Sequence, residues 1–330
     1  MRILLSRTDR IGDLILSTPA IATMRASFPD AHIAIVTSAY NAVAVERNPN
    51  LDAVHAIPVG MRPSAFAAAF RDSVDLAIAL APRAADFAVV GATRAPKRLG
   101  YTYVRRYVAR LTWRLYLTEL ALSQADPGLV DRDPQRPVRH EVDELLGLVA
   151  RAGATRRVED LRVDLTDRDR SAVAYLPSDS LTFHLAEHWL NCGSSLESTI
   201  ELLRELRRFA LPLVVTHAAE HRSQAALIAR ANVAEAVVDH LTFHEWAAAF
   251  ERARCIVTVD TGATHVASAM RKPTVVAFEN RFFELSSKEW APYRVPHAIV
   301  RKPAHESPGE LQQLRSDVVA GVASLLETAR

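Results

Sequence analysis

Lysine is nearly missing from this sequence. Of 40 lysines and arginines in 330 residues, only Lys97, Lys272, Lys288 and Lys302 are lysine. Arginine carries the rest, and its planar fork suits phosphate and carboxylate groups, although a compositional bias of the source gives the same excess. Cysteine is scarcer still: Cys192 and Cys255 make no CxxC, zinc spacing or disulfide framework, so a reduced, cytoplasmic setting is expected. Long apolar runs are also lacking. None approaches the roughly 18 residues of a membrane span, and the short stretch before Arg7, Asp9 and Arg10 is too charged for a signal peptide. Any membrane contact is expected to be peripheral. The first strand–helix turn, TDRIGD, has no GxGxxG, which argues against an NAD-dependent Rossmann enzyme. Neither a 20–50-residue repeat nor a low-complexity tract is present. The formal charge is only +2 and no nucleic-acid module is visible, so nucleic acid is excluded as a partner.

What remains is an ordinary globular composition, 49% hydrophobic and 24% charged, in a chain longer than one core usually fills. Strands are expected at Ile3–Ser6, His32–Thr37, Val54–Ile57 and Leu76–Ala79, with helical patterns between them. A second series is expected at Val173–Leu176, Leu211–Thr216, Ala236–Val238, Cys255–Val259 and Thr274–Phe278. This alternation predicts two parallel sheets with helices on both faces. The proline- and charge-rich stretch 126–139 and the polar 164–170 place a hinge near 160–172, giving domains 1–165 and 166–330. The tail Pro308–Ala329 has helical spacing and is expected to pack back onto the body.

Two strand–turn–helix junctions stand out. In CIVTVDTGATHVASAM an apolar run stops at Asp260, turns through Thr261 and Gly262, and resumes with helical spacing. A helix start leaves about four N–H groups without partners and carries roughly half a positive charge, so phosphate is a natural occupant. Gly262 lets the backbone come close, and His265, one turn on, could donate to a phosphate or ribose or be a satisfied helix-face histidine. Near the N-terminus RILLS runs through TDRIG into a helix beginning about Asp13. Asp13 could simply cap free N–H groups. Alternatively, at the carboxyl edge of the first strand it could act as a general base.

Three HxxxH pairs (His184/His188, His217/His221, His240/His244) invite a metal reading, which is rejected: none has the HExxH glutamate, and Thr242–Glu245 reads as a capping box. The DRD strings at 131–133 and 167–169 lie in arginine-rich connectors and follow no strand. Arg94, Lys97, Arg98, Arg105, Arg106, Arg110 and Arg114, interleaved with Tyr103, Tyr107, Trp113 and Tyr116, read as a solvated basic face or as a site that docks an anionic, lipid-linked substrate at a membrane.

Taken together, RTDRIGDLILSTPAI at 7–21, RLGY at 98–101, HEVDELLGL at 140–148, VDTGATHVASAM at 259–270 and WAPY at 290–293 resemble the ADP-heptose:lipopolysaccharide heptosyltransferase family, glycosyltransferase family 9. The resemblance implies an α/β GT-B fold, two doubly wound Rossmann-like domains facing across a cleft, with acceptor bound by the N-terminal domain and donor by the C-terminal one. It implies an inverting, metal-independent glycosyltransferase without a cofactor. That enzyme would move a sugar, heptose from ADP-heptose, to a hydroxyl of a lipopolysaccharide-core or related acceptor, in the cytoplasm at the inner face of the inner membrane. Asp13 matches the family's base. Gly12, Arg10, Arg98 and Tyr101 fall to the acceptor, and Asp260, Thr261, Gly262, His265, Thr242, His188 and Glu279 to the donor.

The chain departs from the family where a lysine usually precedes a tryptophan after the first strand of the second domain. Here the stretch reads HLAEHWL, with Glu187 or His188 near Trp189. Either another cation serves, or the donor sits differently, or activity is weak. Glu279 and Asn280 likewise stand where a glycine is common, and His217 where the second strand usually ends in glycine. The alternatives are a nucleotide-sugar-binding protein without catalysis, or a glycosyltransferase using another nucleotide sugar. The sequence leaves the oligomeric state open.

Overall fold

The computed structural model describes residues 1–191 and 193–328; Cys192 and the tail residues Ala329 and Arg330 lie outside the described residues. The chain divides into two compact units, Met1–Arg162 and Val163–Arg330.

The first unit is built on six parallel strands: β1 (Arg2–Arg7), β2 (His32–Ser38), β3 (Ala53–Ile57), β4 (Leu76–Ala79), β5 (Lys97–Tyr103) and β6 (Glu119–Ser123). Their order is β3-β2-β1-β4-β5-β6. β1 is buried from Ile3 to Arg7 and β4 throughout, as expected of central strands covered on both faces. The chain runs outward from β1 to β2 and β3, then returns to place β4 on the other side of β1. The carboxyl ends of β1 and β4 therefore flank the reversal point, where open α/β sheets bind ligands.

The second unit repeats this order. Its strands are β7 (Ser180–Leu185), β8 (Leu213–His217), β9 (Ala236–Val238), β10 (Ala253–Val259), β11 (Thr274–Phe278) and β12 (His297–Arg301). They lie in the order β12-β11-β10-β7-β8-β9, so the reversal falls between β7 and β10. The helix Pro308–Thr328 packs its Leu314, Val318, Val322 and Leu325 into the core of this unit. Its buried Arg315 reaches Glu201 at 2.9 Å and Glu205 at 3.1 Å.

Four strands were missed by the sequence reading and one was misplaced. Val173–Leu176 is not a strand: it follows the short helix Asp167–Ala172, whose capping box joins Thr166 to Asp169. Val173 and Leu176, three residues apart, are buried against Val214, Val238 and Ala248 as a turn covering the sheet. The strand that opens this unit is β7, SLTFHL, in which all six residues are buried although half are polar. β5 lies inside the basic, aromatic stretch, β6 just after it, and β12 is a short edge strand.

Candidate active site

In the first unit the helix Ile11–Leu16 begins one short turn after β1, at the reversal point. Arg10 is its N-cap residue and makes no side-chain cap; Gly12 is buried and Asp13 stands in the first turn. Asp13 is not the capping group, since no side chain caps this helix. Its carboxylate Oδ1 lies 3.4 Å from Nη2 of Arg7, and its side chain keeps 22% of its surface exposed. Surrounding protein strips water from the carboxylate and pushes its pKa up to about 6, against the pull of Arg7 and with the push of Asp9 and Glu141. Such a carboxylate is ionised at neutral pH and basic enough to take a proton from a hydroxyl.

Arg7, which opens the 7–21 motif but had no role assigned to it, organises this end of the sheet. Its Nε donates to Asp9 Oδ1 at 2.9 Å, and its Nη1 donates to Glu141 Oε1 at 2.8 Å and to the carbonyl of Leu80 just beyond β4. Burial opposes its charge, but the carboxylates of Asp9 and Glu141 keep it firmly protonated. Tyr101 donates from its hydroxyl to the same Glu141 oxygen at 2.7 Å. Burial, then Glu141, holds this phenol well above its usual pKa, so it remains a donor. Asp86, on the helix Ala84–Ala92, is wholly buried and accepts from Ser6 Oγ at 2.7 Å and Thr8 Oγ1 at 3.0 Å. Its pKa rises to about 6, again mainly through burial.

The structure thus gathers Gly12, Asp13, the exposed Arg10 and Tyr101, the last through Glu141 and Arg7. It does not bring Arg98 to them. The register sets Arg98 beside Ala77, which itself pairs with Leu4, three residues short of the level of Arg7. The Arg98 guanidinium is taken by the backbone carbonyls of Ala95 and Tyr116.

In the second unit β10 ends at Val259, and the helix Gly262–Ala269 starts at N-cap Thr261. Thr261 does not cap this helix. Its hydroxyl turns back to the carbonyl of Val259 at 3.3 Å, as does that of Thr264 at 3.2 Å. The N-cap side chain therefore takes none of the first-turn N–H groups, an arrangement that suits anion binding. Asp260 N–H donates to the carbonyl of Ala277 at 3.2 Å, tying this turn to the end of β11. Glu279 follows β11, and its Oε1 lies 3.2 Å from Nδ1 of His188, which follows β7. β10 lies between β7 and β11, so the His188–Glu279 contact joins the segments that follow the two neighbours of β10. His265 is buried in the helix's second turn. Thr242 is spent locally: it caps the helix Phe243–Glu251 in a capping box with Glu245. Glu187 is exposed and accepts from Asn191 Nδ2 at 3.3 Å.

The cation absent from the HLAEHWL loop arrives from another strand. Lys302, just past β12, is fully buried and donates from Nζ to the backbone carbonyls of His188 and of Asn191, the latter at 2.7 Å. Gly193, at φ +84°, passes so close to Pro303 O that a Cβ would meet it at 2.3 Å. The loop after β7 is thus fastened to the segment after β12. Of the HxxxH residues, His184 lies within β7, buried 3.0 Å from Thr216 Oγ1. Burial lowers its pKa to about 3, so it stays neutral. Among the described residues no group of three or more His, Cys, Asp or Glu is placed to hold a metal ion.

Residues 200–314 match the family model for glycosyltransferase family 9 (heptosyltransferase). The matched residues all lie in the second unit. This family 9 match begins after the β7 loop and includes the Thr261 turn and Lys302. Solved structures agree over the whole chain. A family 9 glycosyl transferase from Veillonella parvula superposes with a TM-score of 0.78 at 18% identity, covering 99% of this chain and 97% of that one. ADP-heptose LPS heptosyltransferase II of E. coli gives 0.74 at 17% identity, covering 100% and 99%. E. coli heptosyltransferase WaaC, solved with ADP, gives 0.68 at 17% identity, covering 99% and 97%. The fold is therefore the two-domain α/β fold of these heptosyltransferases. No curated protein matches the sequence.

Proposed function

We propose that the chain is an inverting heptosyltransferase that moves heptose from ADP-heptose to a hydroxyl of a lipopolysaccharide-core or related acceptor. The observation that carries this reading is the helix start at Thr261, whose own side chain does not cap it. Its amides and helix dipole would receive the negative charge that builds on the departing diphosphate. In the reaction Asp13 takes the proton of the acceptor hydroxyl while that oxygen attacks the anomeric carbon. The bond from that carbon to the diphosphate breaks, and its electron pair leaves on the phosphate oxygen of ADP. We assign the charge stabilisation to the turn itself, so turnover is expected to survive chelation by EDTA. His265 serves the phosphates or the ribose, and Glu279, an acceptor-only group, serves sugar or ribose hydroxyls.

The acceptor in this reading is anionic and lipid-linked, and the enzyme works at the inner face of the membrane. No helix among the described residues is long and apolar enough to cross a membrane. A surface suited to peripheral contact exists: Val108, Leu111 and Leu115 are more than 70% exposed among Arg105, Arg106, Arg110 and Arg114. Between Asp86 and Glu119 the sequence holds no acidic residue. Apolar and cationic side chains together favour an anionic headgroup layer.

Thermal denaturation with ADP, ADP-heptose, UDP- and GDP-sugars and NAD tests the donor assignment, because a ligand binding only the folded state raises Tm. Stabilisation by ADP and ADP-heptose alone is expected. Preference for another nucleotide would replace the donor, and binding without product across an acceptor panel would leave a nucleotide-sugar-binding protein.

A further inference from the structure

Asp13 is one of four carboxyl groups, with Asp9, Asp86 and Glu141, that crowd the carboxyl end of the first sheet around a single buried cation. That cation is immobile. Arg7 is held by Asp9 in the loop after β1, by the Leu80 carbonyl beyond β4, and by Glu141 at the start of the helix Glu141–Ala152. The side chains of Arg7 and Glu141 are only 3% and 2% exposed. Three anchors on three segments fix the plane of the guanidinium, and what they leave facing Asp13 is Nη2. We propose that Arg7 is the positioning residue for the carboxylate of Asp13, and that Glu141, steadied by Tyr101, is the residue that holds Arg7 to that task. This rests on Asp13 being the base.

Stability alone is a poor reason for this arrangement. A buried ion pair repays its desolvation only in part, and apolar replacements of similar volume are often as stable. Here the pair also brings a buried phenol and leaves Glu141 Oε2 with no hydrogen-bond partner, a polar atom stranded in the interior. Geometry explains what stability does not. A general base must hold its oxygen within hydrogen-bond reach of the hydroxyl it deprotonates, and the helix bearing Asp13 is only six residues long and uncapped. Arg7 supplies the orientation that so short a helix does not.

The charges facing Asp13 are Arg7 from β1, Asp9 and Arg10 from the turn, and Glu141 from its helix. Tyr101 on β5 acts on Glu141, and Asp86 stands near Asp9 and Arg7. Glu141 both fixes Arg7 and offsets its charge. Glu141→Gln keeps the shape and an acceptor oxygen while removing that offset, so Arg7 should hold the Asp13 carboxylate more strongly in its ionised form.

The test uses the full-length enzyme in three variants. In Glu141→Gln the acid limb of the kcat profile should move to lower pH by roughly 0.5–1 unit. In Arg7→Lys, which keeps charge but loses the fork, kcat should fall roughly tenfold or more with KM for ADP-heptose within about twofold. Carbon-13 NMR titration of labelled aspartate, with Asp13 assigned by Asp13→Asn, should show the same downward shift of Asp13 in Glu141→Gln. That readout needs no turnover, so it tests the clamp even if Asp13 is not the base. An Asp13 titration within 0.2 pH unit of wild type in Glu141→Gln, or an Arg7→Lys enzyme with wild-type kcat, would overturn the proposal. Full activity in Asp13→Asn, with the NMR shift still present, would overturn the base assignment instead and leave the clamp standing.

Discussion

Lys302 and His188 are 114 residues apart in sequence, yet the Lys302 ammonium donates directly to the His188 carbonyl. One of only four lysines in the chain is thus buried beneath the loop that follows β7. The positive charge is shared with the carbonyl of Asn191 in the same loop. Its effect is to brace the loop.

Removing it should therefore loosen the loop and weaken the donor site together. Lys302→Met preserves length but leaves two carbonyls without their donor, at a cost of roughly 2–4 kcal/mol. Urea denaturation should show that loss, and calorimetric titration should show weaker ADP binding. Unchanged ADP affinity would restrict Lys302 to stability.

Thr261 offers a case in which stability and binding move in opposite directions. A carboxylate at this N-cap position would accept from first-turn N–H groups that the threonine side chain does not bond, and stabilise the helix by about 1 kcal/mol. It would also occupy the anion site. Thr261→Asp is expected to raise Tm while reducing ADP affinity at least tenfold; equal affinity would place the diphosphate elsewhere.

Asp86 makes the stability of the first unit depend on pH. Its pKa rises from 3.8 to about 6 on folding, so the folded state binds more protons between those values and stability falls as pH rises through that window. Above it the penalty approaches about 3 kcal/mol. Asp86→Asn should be more stable than wild type at pH 8 by roughly 1–2 kcal/mol, since part of the gain is offset by weaker bonds to Ser6 and Thr8. The advantage should vanish near pH 4, as pH-dependent urea denaturation will show.

The exposed face at Val108, Leu111 and Leu115 should carry the chain to anionic vesicles. Flotation with phosphatidylglycerol vesicles is expected to recover the wild-type protein, and Leu111→Asp or 0.5 M salt should release it. Equal recovery on neutral phosphatidylcholine would show that the arginines do not contribute.

The legible parts of this protein were those written in contiguous residues. β1 to β4 and β8 to β11 are short apolar runs ended by turn residues, and the two strand–turn–helix junctions at Asp13 and Thr261 could be read from a dozen residues each. β7 was not legible because Ser180, Thr182 and His184 break its apolar pattern, although Thr216 satisfies the imidazole inside the fold. β5 was hidden in a stretch whose arginines and tyrosines read as a solvated basic face. Arg7 and Glu141, though inside quoted motifs, and Asp86, inside none, had no role assigned to them for a different reason. The Arg7–Glu141 bond spans 134 residues and the Ser6–Asp86 bond 80. Nothing local marks a charged residue as buried until the sheet order brings those segments together. Arg98 was the reverse case: it sits in a family-like motif, but its guanidinium is consumed by two carbonyls.

The central claim is that Asp13 takes the acceptor's proton. Initial rates with ADP-heptose and a lipopolysaccharide-core acceptor, measured from pH 5 to 8 for wild type and Asp13→Asn alongside ADP affinity, test it most directly. The expected result is a wild-type rate that falls as pH drops through about 6, and an Asp13→Asn rate lower by roughly 10²–10⁴ with ADP affinity unchanged within about twofold. An Asp13→Asn enzyme that turns over at the wild-type rate would contradict it.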